Sequence, residues 1–103
     1  MRFLMKMKMD VEKGNAAIKD PNFGHKMQEL VANLKPEAAY FALEDGQRCA
    51  YFIISIQNAS EMPGRVEPFW FQFNADISLT PVMTSDDLAK AMPDIMTAVK
   101  KWG

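Results

Sequence analysis

The sequence predicts one α+β domain, residues 1–103, in which a four-stranded antiparallel sheet carries helices on one of its faces. Three observations predict this class. Four segments have the alternation or composition of β-strands, a tight turn joins two of them, and segments with helical spacing lie between the others. A chain of 103 residues with 49% hydrophobic residues has room for one hydrophobic core and not for two.

The first strand is predicted from side chains that alternate in character up to Asp10. One side of this segment is uniformly apolar, and it consists of Phe3, Met5, Met7 and Met9. Lys6 and Lys8 fall on the opposite side, as a strand with two unlike faces requires. The two lysines are therefore expected on the sheet face that points away from the helices.

Two helices are predicted between the first and second strands. The first is a short stretch after Asp10, weakened by Gly14. Asp20 then predicts a new start as an N-cap, with Pro21 in the first helical position. This second helix is predicted to end at Lys35, because a residue that precedes proline is pushed out of the α region.

A β-hairpin is predicted around Asp45-Gly46, a dipeptide typical of two-residue turns. Segments rich in aromatic and β-branched residues flank the turn, at 38–43 and 48–56. A two-residue turn fixes the register of the two strands, and Tyr40 is therefore predicted directly opposite Tyr51.

The second half of the chain is predicted to contain a helix, a strand and a last helix. Ser60 is the expected N-cap of the first of these helices, and Pro68 is expected to kink or end it. Thr84, with Asp87 three residues on, predicts a capping box for the last helix. Pro93 is expected to kink or restart that helix.

The order strand, helix, strand, strand, helix, strand, helix fits the split βαβ arrangement of a ferredoxin-like sandwich, with helices on one face. The other face, called the open face below, then has no cover. Alternation and the hairpin register assign six candidate ligand-binding residues to it: Lys6, Lys8, Tyr40, Cys49, Tyr51 and Ser78. With Ile53 this face is too apolar for water, so the sheet of a second copy is expected to cover it.

Charge and motif content exclude several function classes. Twelve Lys and Arg residues balance 13 Asp and Glu residues, so the electrostatic footprint of a nucleic-acid-binding protein is absent. Apolar runs are too short for a membrane span or a secretory signal, and one Cys cannot form an internal disulfide, so a cytoplasmic location is expected. No nucleotide-binding or CxxC motif occurs, so no cofactor is expected.

Each candidate side chain has a chemical and a structural interpretation. Lys6 and Lys8 would bind an anionic ligand or act as a desolvated base; alternatively they are solvated or form salt bridges with Asp76 across the sheet. Lys6 is the stronger candidate, because it lies nearer the middle of its strand.

Aromatic, thiol and imidazole groups leave the same two alternatives open. Tyr40 and Tyr51 either orient a carbonyl or phenol-like ligand or stabilise the sheet as a cross-strand pair. Cys49 is either a nucleophile or a small buried hydrophobe. His25, the single histidine, is expected on a helix surface, and no metal site is predicted.

Four segments resemble small proteins of the dimeric alpha-beta barrel superfamily, most closely its uncharacterised members. They are Leu34-Lys35-Pro36-Glu37-Ala38-Ala39-Tyr40-Phe41, Gly46-Gln47-Arg48, Glu67-Pro68-Phe69, and Pro81-Val82-Met83-Thr84 followed by Asp87-Leu88. The resemblance implies a homodimer whose two sheets enclose a space. The superfamily includes antibiotic-biosynthesis monooxygenases, muconolactone isomerases and YCII-like proteins. The His and Asp pair of the YCII-like group is not matched, since His25 is on a helix.

Two functional hypotheses of different class follow. In the first, a homodimer binds a small aromatic or carbonyl-containing molecule between its sheets, and any reaction is cofactor-independent proton transfer or oxygenation with Lys6 and Tyr51 as polar anchors. In the second, the same residues hold together a non-catalytic structural or regulatory dimer module. An enclosed cavity reached by Lys6 or Tyr51 would favour the first hypothesis.

Overall fold

The chain forms four strands and four α-helices, and a computed structural model describes residues 1–103 in full. The strands are β1 (Arg2–Met9), β2 (Ala38–Glu44), β3 (Gln47–Ser55) and β4 (Asp76–Pro81). The helices are α1 (Val11–Lys19), α2 (Phe23–Leu34), α3 (Met62–Phe73) and α4 (Ser85–Trp102), and a 3₁₀ turn, Ala59–Glu61, precedes α3. The predicted α+β class with four strands is confirmed.

The strands form a single antiparallel sheet in the order β2-β3-β1-β4. β1 and β3 are central, while β2 and β4 are the edges. The arrangement is compatible with a ferredoxin-like α+β fold. Asp45 and Gly46 both have positive φ, 52° and 72°, as the predicted two-residue turn requires. The hairpin register is as predicted, with Tyr40 opposite Tyr51.

The hydrophobic core lies between α1–α3 and one face of the sheet, called the helix face below. The apolar set that alternation predicted for β1 is buried there, together with three residues of β3: Phe3, Met5, Met7 and Met9, with Ala50, Phe52 and Ile54. Phe52 is central, with its ring centroid 5.8 Å from that of Phe69 on α3 and 6.2 Å from that of Phe41 on β2. The opposite face is the predicted open face, which carries none of these helices.

The second predicted helix begins later than expected. Asn22 is its N-cap, whereas Asp20 ends α1. The Asp20 carboxylate accepts hydrogen bonds from the Asn22 backbone N–H at 2.9 Å and from the Lys26 ammonium at 2.8 Å. A side chain that bonds the backbone two residues on favours a turn over a helix start, which explains why Pro21 lies outside the helix.

Helix capping is predicted correctly for α4 and wrongly for the segment before α3. Thr84 and Asp87 form the expected capping box. Ser60 is not an N-cap, because Asn58 caps the 3₁₀ turn in a capping box with Glu61. The Glu61 side chain has the length to reach back to the Asn58 N–H, and this fixes the earlier start.

Neither proline ends its helix, so the predicted end at Pro68 and the predicted restart at Pro93 are wrong, while the alternative of a kink stays a prediction. α3 runs through Pro68 and α4 runs through Pro93. A proline inside a helix removes one backbone hydrogen bond. In α3 the burial of Val66 and Phe69 beside Pro68 offsets this loss. In α4 the Thr97 hydroxyl donates to the Pro93 carbonyl at 3.0 Å.

The last helix departs from the expectation that all helices lie on one face. α4 extends beyond the end of β4 and buries none of its 18 residues, which leaves the molecule elongated at 58 × 28 × 20 Å. Its large apolar side chains, called the α4 stripe below, are 40–80% exposed: Leu88, Met92, Ile95, Met96, Val99 and Trp102. The expectation is correct for α1–α3 and wrong for α4. No helix is long and apolar enough to cross a bilayer.

Candidate ligand site on the open face

Four of the six candidate residues form one row across the open face. Tyr40 on β2 pairs with Tyr51 on β3, Tyr51 pairs with Lys6 on β1, and Lys6 pairs with Ser78 on β4. Cys49 and Lys8 lie in the adjacent row, where they pair with each other. The strand register therefore brings all six side chains onto the same face.

Glu44, the last residue of β2, is the polar centre of this face. Its carboxylate oxygens lie 3.0 Å and 3.2 Å from Lys6 Nζ, and Tyr51 Oη donates to it at 2.8 Å. Lys6 Nζ also lies 5.9 Å from the centroid of the Tyr51 ring, within the range of a cation–π contact. The side chains of Lys6 and Glu44 are 34% and 30% exposed, so the group is partly shielded and still accessible.

Lys8 forms its ion pairs at the hairpin and not with Asp76. Its Nζ lies 3.0 Å from Asp45 Oδ2 and 3.6 Å from Glu44 Oε2. Asp76 pairs with Lys8 in the register but forms no ion pair. The hairpin offers two carboxylates within reach of one lysine, whereas Asp76 is exposed on an edge strand, and this corrects the predicted salt bridge.

Hydrogen bonding fixes the protonation states of the group. The bonds from Lys6 and from Tyr51 lower the pKa of Glu44, because both donors favour the carboxylate. The same bond to Glu44 raises the pKa of Tyr51, since a phenolate would lose it and face a like charge. The bond to Asp45 raises the pKa of Lys8. At neutral pH the site therefore presents the Glu44 carboxylate, the protonated Tyr51 phenol and the Lys8 ammonium.

The remaining candidates differ in how accessible they are. Tyr40 is 66% exposed and lies beside Tyr51, so its ring is free to contact a ligand. Ser78 is exposed next to Lys6 on an edge strand. Cys49 is buried, with Sγ 4.0 Å from the Ala50 carbonyl, which favours its interpretation as a small hydrophobe.

Histidine and acidic residues do not assemble elsewhere into a site. His25 is on the surface of α2, with a 78% exposed side chain 3.8 Å from Glu29. No group of three or more His, Cys, Asp or Glu side chains has a geometry that could hold a metal ion.

The row on the open face lies outside the principal grooves of a single chain. None of the five principal surface grooves is lined by Lys6, Tyr40, Tyr51 or Ser78. A groove of about 710 Å³ lies where β1 begins, and Arg2 and Glu37 line it with their side chains 2.7 Å apart. In one chain the row is an accessible patch, and it is enclosed only where something covers the face.

Sequence reasoning missed Glu44. The alternation that puts Tyr40 on the open face also puts Glu44 there, four residues on, so a signal was present. Its register partner is Gln47, and β1 lies two strands away, about 10 Å in a sheet. Lys6 Nζ meets the Glu44 carboxylate because both side chains are long, and strand pairing alone does not predict such a contact.

Comparison with protein-family models, with curated proteins and with solved structures finds no match to this chain. The fold therefore supports the resemblance only at the level of its architecture, a four-stranded antiparallel sheet with helices on one face that is compatible with a ferredoxin-like sandwich.

Proposed function

We propose that this protein is a homodimer that binds a small aromatic molecule with a carbonyl or carboxylate oxygen on the open face of its sheet. The single observation that carries the proposal is the meeting of Lys6, Tyr51 and Glu44 at 2.8–3.2 Å on a face that α1–α3 leave bare. A hydrogen-bonded charge group beside exposed aromatic surface is the composition of a small-molecule site.

The donors of this group match an oxygen-bearing ligand. Lys6 has three N–H donors, and its contacts with the two Glu44 oxygens leave one for a ligand oxygen. The exposed ring of Tyr40 offers a stacking surface beside Tyr51. A ligand hydroxyl would find an acceptor in Glu44. An aromatic acid or ketone with a phenolic hydroxyl satisfies all three features.

Proton transfer without a cofactor is the reaction that this group best supports. Glu44 is the carboxylate that contacts both Lys6 and Tyr51, so it is the proton acceptor in the proposal. Its lowered pKa makes it a weak base, which favours binding over catalysis as the main role. For the oxygenation that the sequence also left open, the proposal assigns no residue.

A second copy is the cover that the proposal requires. Tyr40 is 66% exposed, and Leu4, Tyr51 and Ile53 are half-buried beside it, so apolar and aromatic surface continues around the polar group. Two such faces packed together would exclude water from this surface and convert the row into a lined cavity.

The alternative is a non-catalytic structural or regulatory dimer module. One observation favours it: none of the five principal grooves of the single chain is lined by Lys6, Tyr40, Tyr51 or Ser78. In that case Lys6, Tyr51 and the other residues of the open face only hold the two sheets of the dimer together.

Titration of the ¹⁵N-labelled protein with 4-hydroxybenzoate and 4-hydroxyacetophenone tests the proposal by NMR. Saturable amide shifts are expected at Lys6, Tyr51 and Glu44. Lys6→Met is expected to weaken binding about tenfold or more, because it removes a charge-assisted hydrogen bond. Lys19→Met, an exposed lysine on α1, is the matched control and should bind as the parent does.

A second pair of variants separates the ligand site from a sheet contact. Tyr51→Phe should weaken binding through loss of the hydroxyl, while Tyr40→Phe keeps the stacking ring and should retain it. Shifts that do not saturate, or affinities that Lys6→Met leaves unchanged, would contradict the ligand proposal and favour the alternative.

A further inference from the structure

One region of the helix face lacks cover. Phe41 and Leu43 of β2 alternate with the open-face residues and therefore point to the helix side, yet they are 65% and 83% exposed. They border a groove of about 370 Å³, called the edge groove below, in which ten of the eleven lining residues are apolar. Ile18, Phe23 and Met27 line its other side.

One helix of the chain lacks a packing partner. The α4 stripe follows a four-then-three spacing from Leu88 through Met92, Ile95 and Val99 to Trp102. All charged residues of α4 lie on the other side of the helix. Such a helix normally buries its apolar side. The fold thus contains an apolar groove without a helix and an apolar helix without a groove.

We propose that α4 of each chain docks in the edge groove of a second copy, so that the dimer exchanges its last helices. The occupant of the groove is then the α4 stripe of an identical chain. The inference rests on the proposed homodimer with facing sheets, and it adds a second contact on the helix side of the sheet.

The chain geometry excludes the same docking within one molecule. α4 begins at the corner where Pro81 pairs with Phe3, and the edge groove lies at the diagonally opposite corner, near Leu43 and Arg48. Three linking residues span about 10 Å, so α4 has to start on the β4 side of a sheet that is about 14 Å wide and then cross the helix face to reach the groove. Helices α2 and α3 also occupy the helix face between the two corners.

A two-fold axis removes this obstacle. When two open faces pack orthogonally about an axis that runs diagonally between them, the β4 corner of one sheet lies against the β2 corner of the other. α4 then starts beside the partner's edge groove and has only to pass the edge of β2. At 18 residues it is about 27 Å long, enough to follow that edge.

Composition and area agree with a second copy as the occupant. Arg48 is the one charged residue that lines the edge groove, so the groove otherwise offers apolar surface to the α4 stripe. Two exchanged helices, each with six large apolar side chains, bury on the order of 2,000 Å², which is the size of a stable interface.

Thiol crosslinking of the full chain tests the exchange. In a Cys49→Ala background, Leu43→Cys combined with Ile95→Cys is treated with a short bismaleimide and examined on a denaturing gel. A covalent dimer is expected. The pair Leu43→Cys with Lys90→Cys, which puts the thiol on the polar side of α4, is the control and should crosslink weakly.

A second cysteine pair tests the alternative that α4 packs on its own chain. A second apolar groove, of about 310 Å³, lies within reach on the same chain between α3 and β4, and Trp70 and Leu79 line it. If α4 is exchanged, it does not occupy this groove, so Trp70→Cys with Ile95→Cys should give little crosslink. An intrachain crosslink in this pair, with none between chains in the Leu43 pair, would overturn the exchange.

A variant without cysteines keeps the proposal testable if the crosslinking variants fold poorly. Ile95→Asp is expected to raise the dimer dissociation constant at least about a hundredfold, because it buries a charge, and Lys90→Asp should leave it unchanged. Sedimentation velocity measures both. An unchanged constant for Ile95→Asp would overturn the exchange. A parent chain that is monomeric and still binds 4-hydroxybenzoate through Lys6 would overturn the exchange and the proposed homodimer, but not the ligand site. A crosslinked dimer without binding would overturn the ligand site, but not the exchange.

Discussion

The sheet with α1–α3 and the last helix each have a regular hydrophobic pattern, yet they reach opposite ends of the burial scale. Met5, Ala50, Phe52 and Ile54 are completely buried, whereas every residue of α4 retains exposure. The difference teaches that periodicity identifies which side of an element is apolar, and it does not identify the chain that covers that side. In the first region the cover is in the same chain, and in the second we propose that it comes from a partner.

The largest expected effect is the loss of stability when a side chain of the buried region is removed. Phe52→Ala should destabilise the protein by about 3–5 kcal/mol, because it leaves a cavity at the centre of the core between Phe41 and Phe69. Chemical denaturation measures the loss. Phe71→Ala is the control: this side chain is 80% exposed, and a change within about 0.5 kcal/mol is expected. Equal losses for both variants would contradict the assigned core.

A smaller effect compares the N-caps of the two regions. The Asp10 side chain accepts from the Lys13 N–H at 2.7 Å, and the Thr84 hydroxyl accepts from the Asp87 N–H at 3.1 Å. Asp10→Ala should lower the stability of the core by about 1 kcal/mol, since α1 packs on it. Thr84→Ala should instead raise the dimer dissociation constant about fivefold, because that cap stabilises α4 alone.

Denaturation and sedimentation of the two cap variants separate these outcomes. If Thr84→Ala destabilises the core as much as Asp10→Ala does, then α4 packs on its own chain, and the distinction between the two regions is wrong.

The smallest effect concerns pH and the open face. The pKa of Glu44 is lower in the folded chain than its ordinary value of 4.5, so its bonds to Lys6 and Tyr51 stabilise the fold above that pH. This contribution is lost as the pH falls from 4.5 through the lowered folded pKa. Glu44→Gln should therefore flatten the decline of thermal stability in this acidic range.

Asp76→Asn is the matched control for that measurement. Asp76 is exposed on the same face, and no Lys8 ion pair holds its carboxylate. Its substitution should leave the decline as it is in the parent chain. If Asp76→Asn flattens the decline of thermal stability and Glu44→Gln does not, the account of Glu44 is contradicted. The salt bridge between Asp76 and the lysines of β1, which the sequence analysis left open, would then be supported.

What the sequence predicts well is local and repeats at short spacing. The alternation of β1 assigned Met5 and Met7 to the core, and the Asp45-Gly46 turn placed Tyr40 opposite Tyr51. Contacts that depend on side-chain reach escaped prediction. Glu44 is two strands away from Lys6, and only its position in the assembled sheet shows that the two groups meet.

Errors at helix ends and in the placement of α4 have a common origin. The Asp20 carboxylate accepts hydrogen bonds from Asn22 and Lys26, and α3 continues through Pro68 beside the buried Phe69. In each case contacts with other residues outweigh the preference of a single residue. The position of α4 depends on surfaces outside its own segment, and its periodicity carries no information about them.

The mass of the full chain in solution, measured by light scattering over a dilution series, tests the central claim most directly. The claim is that a second copy covers both the open face and the α4 stripe. The account predicts a particle of twice the 11.7 kDa chain mass, with dissociation on dilution. A particle of 11.7 kDa at every concentration would contradict it, because both surfaces would then remain in water.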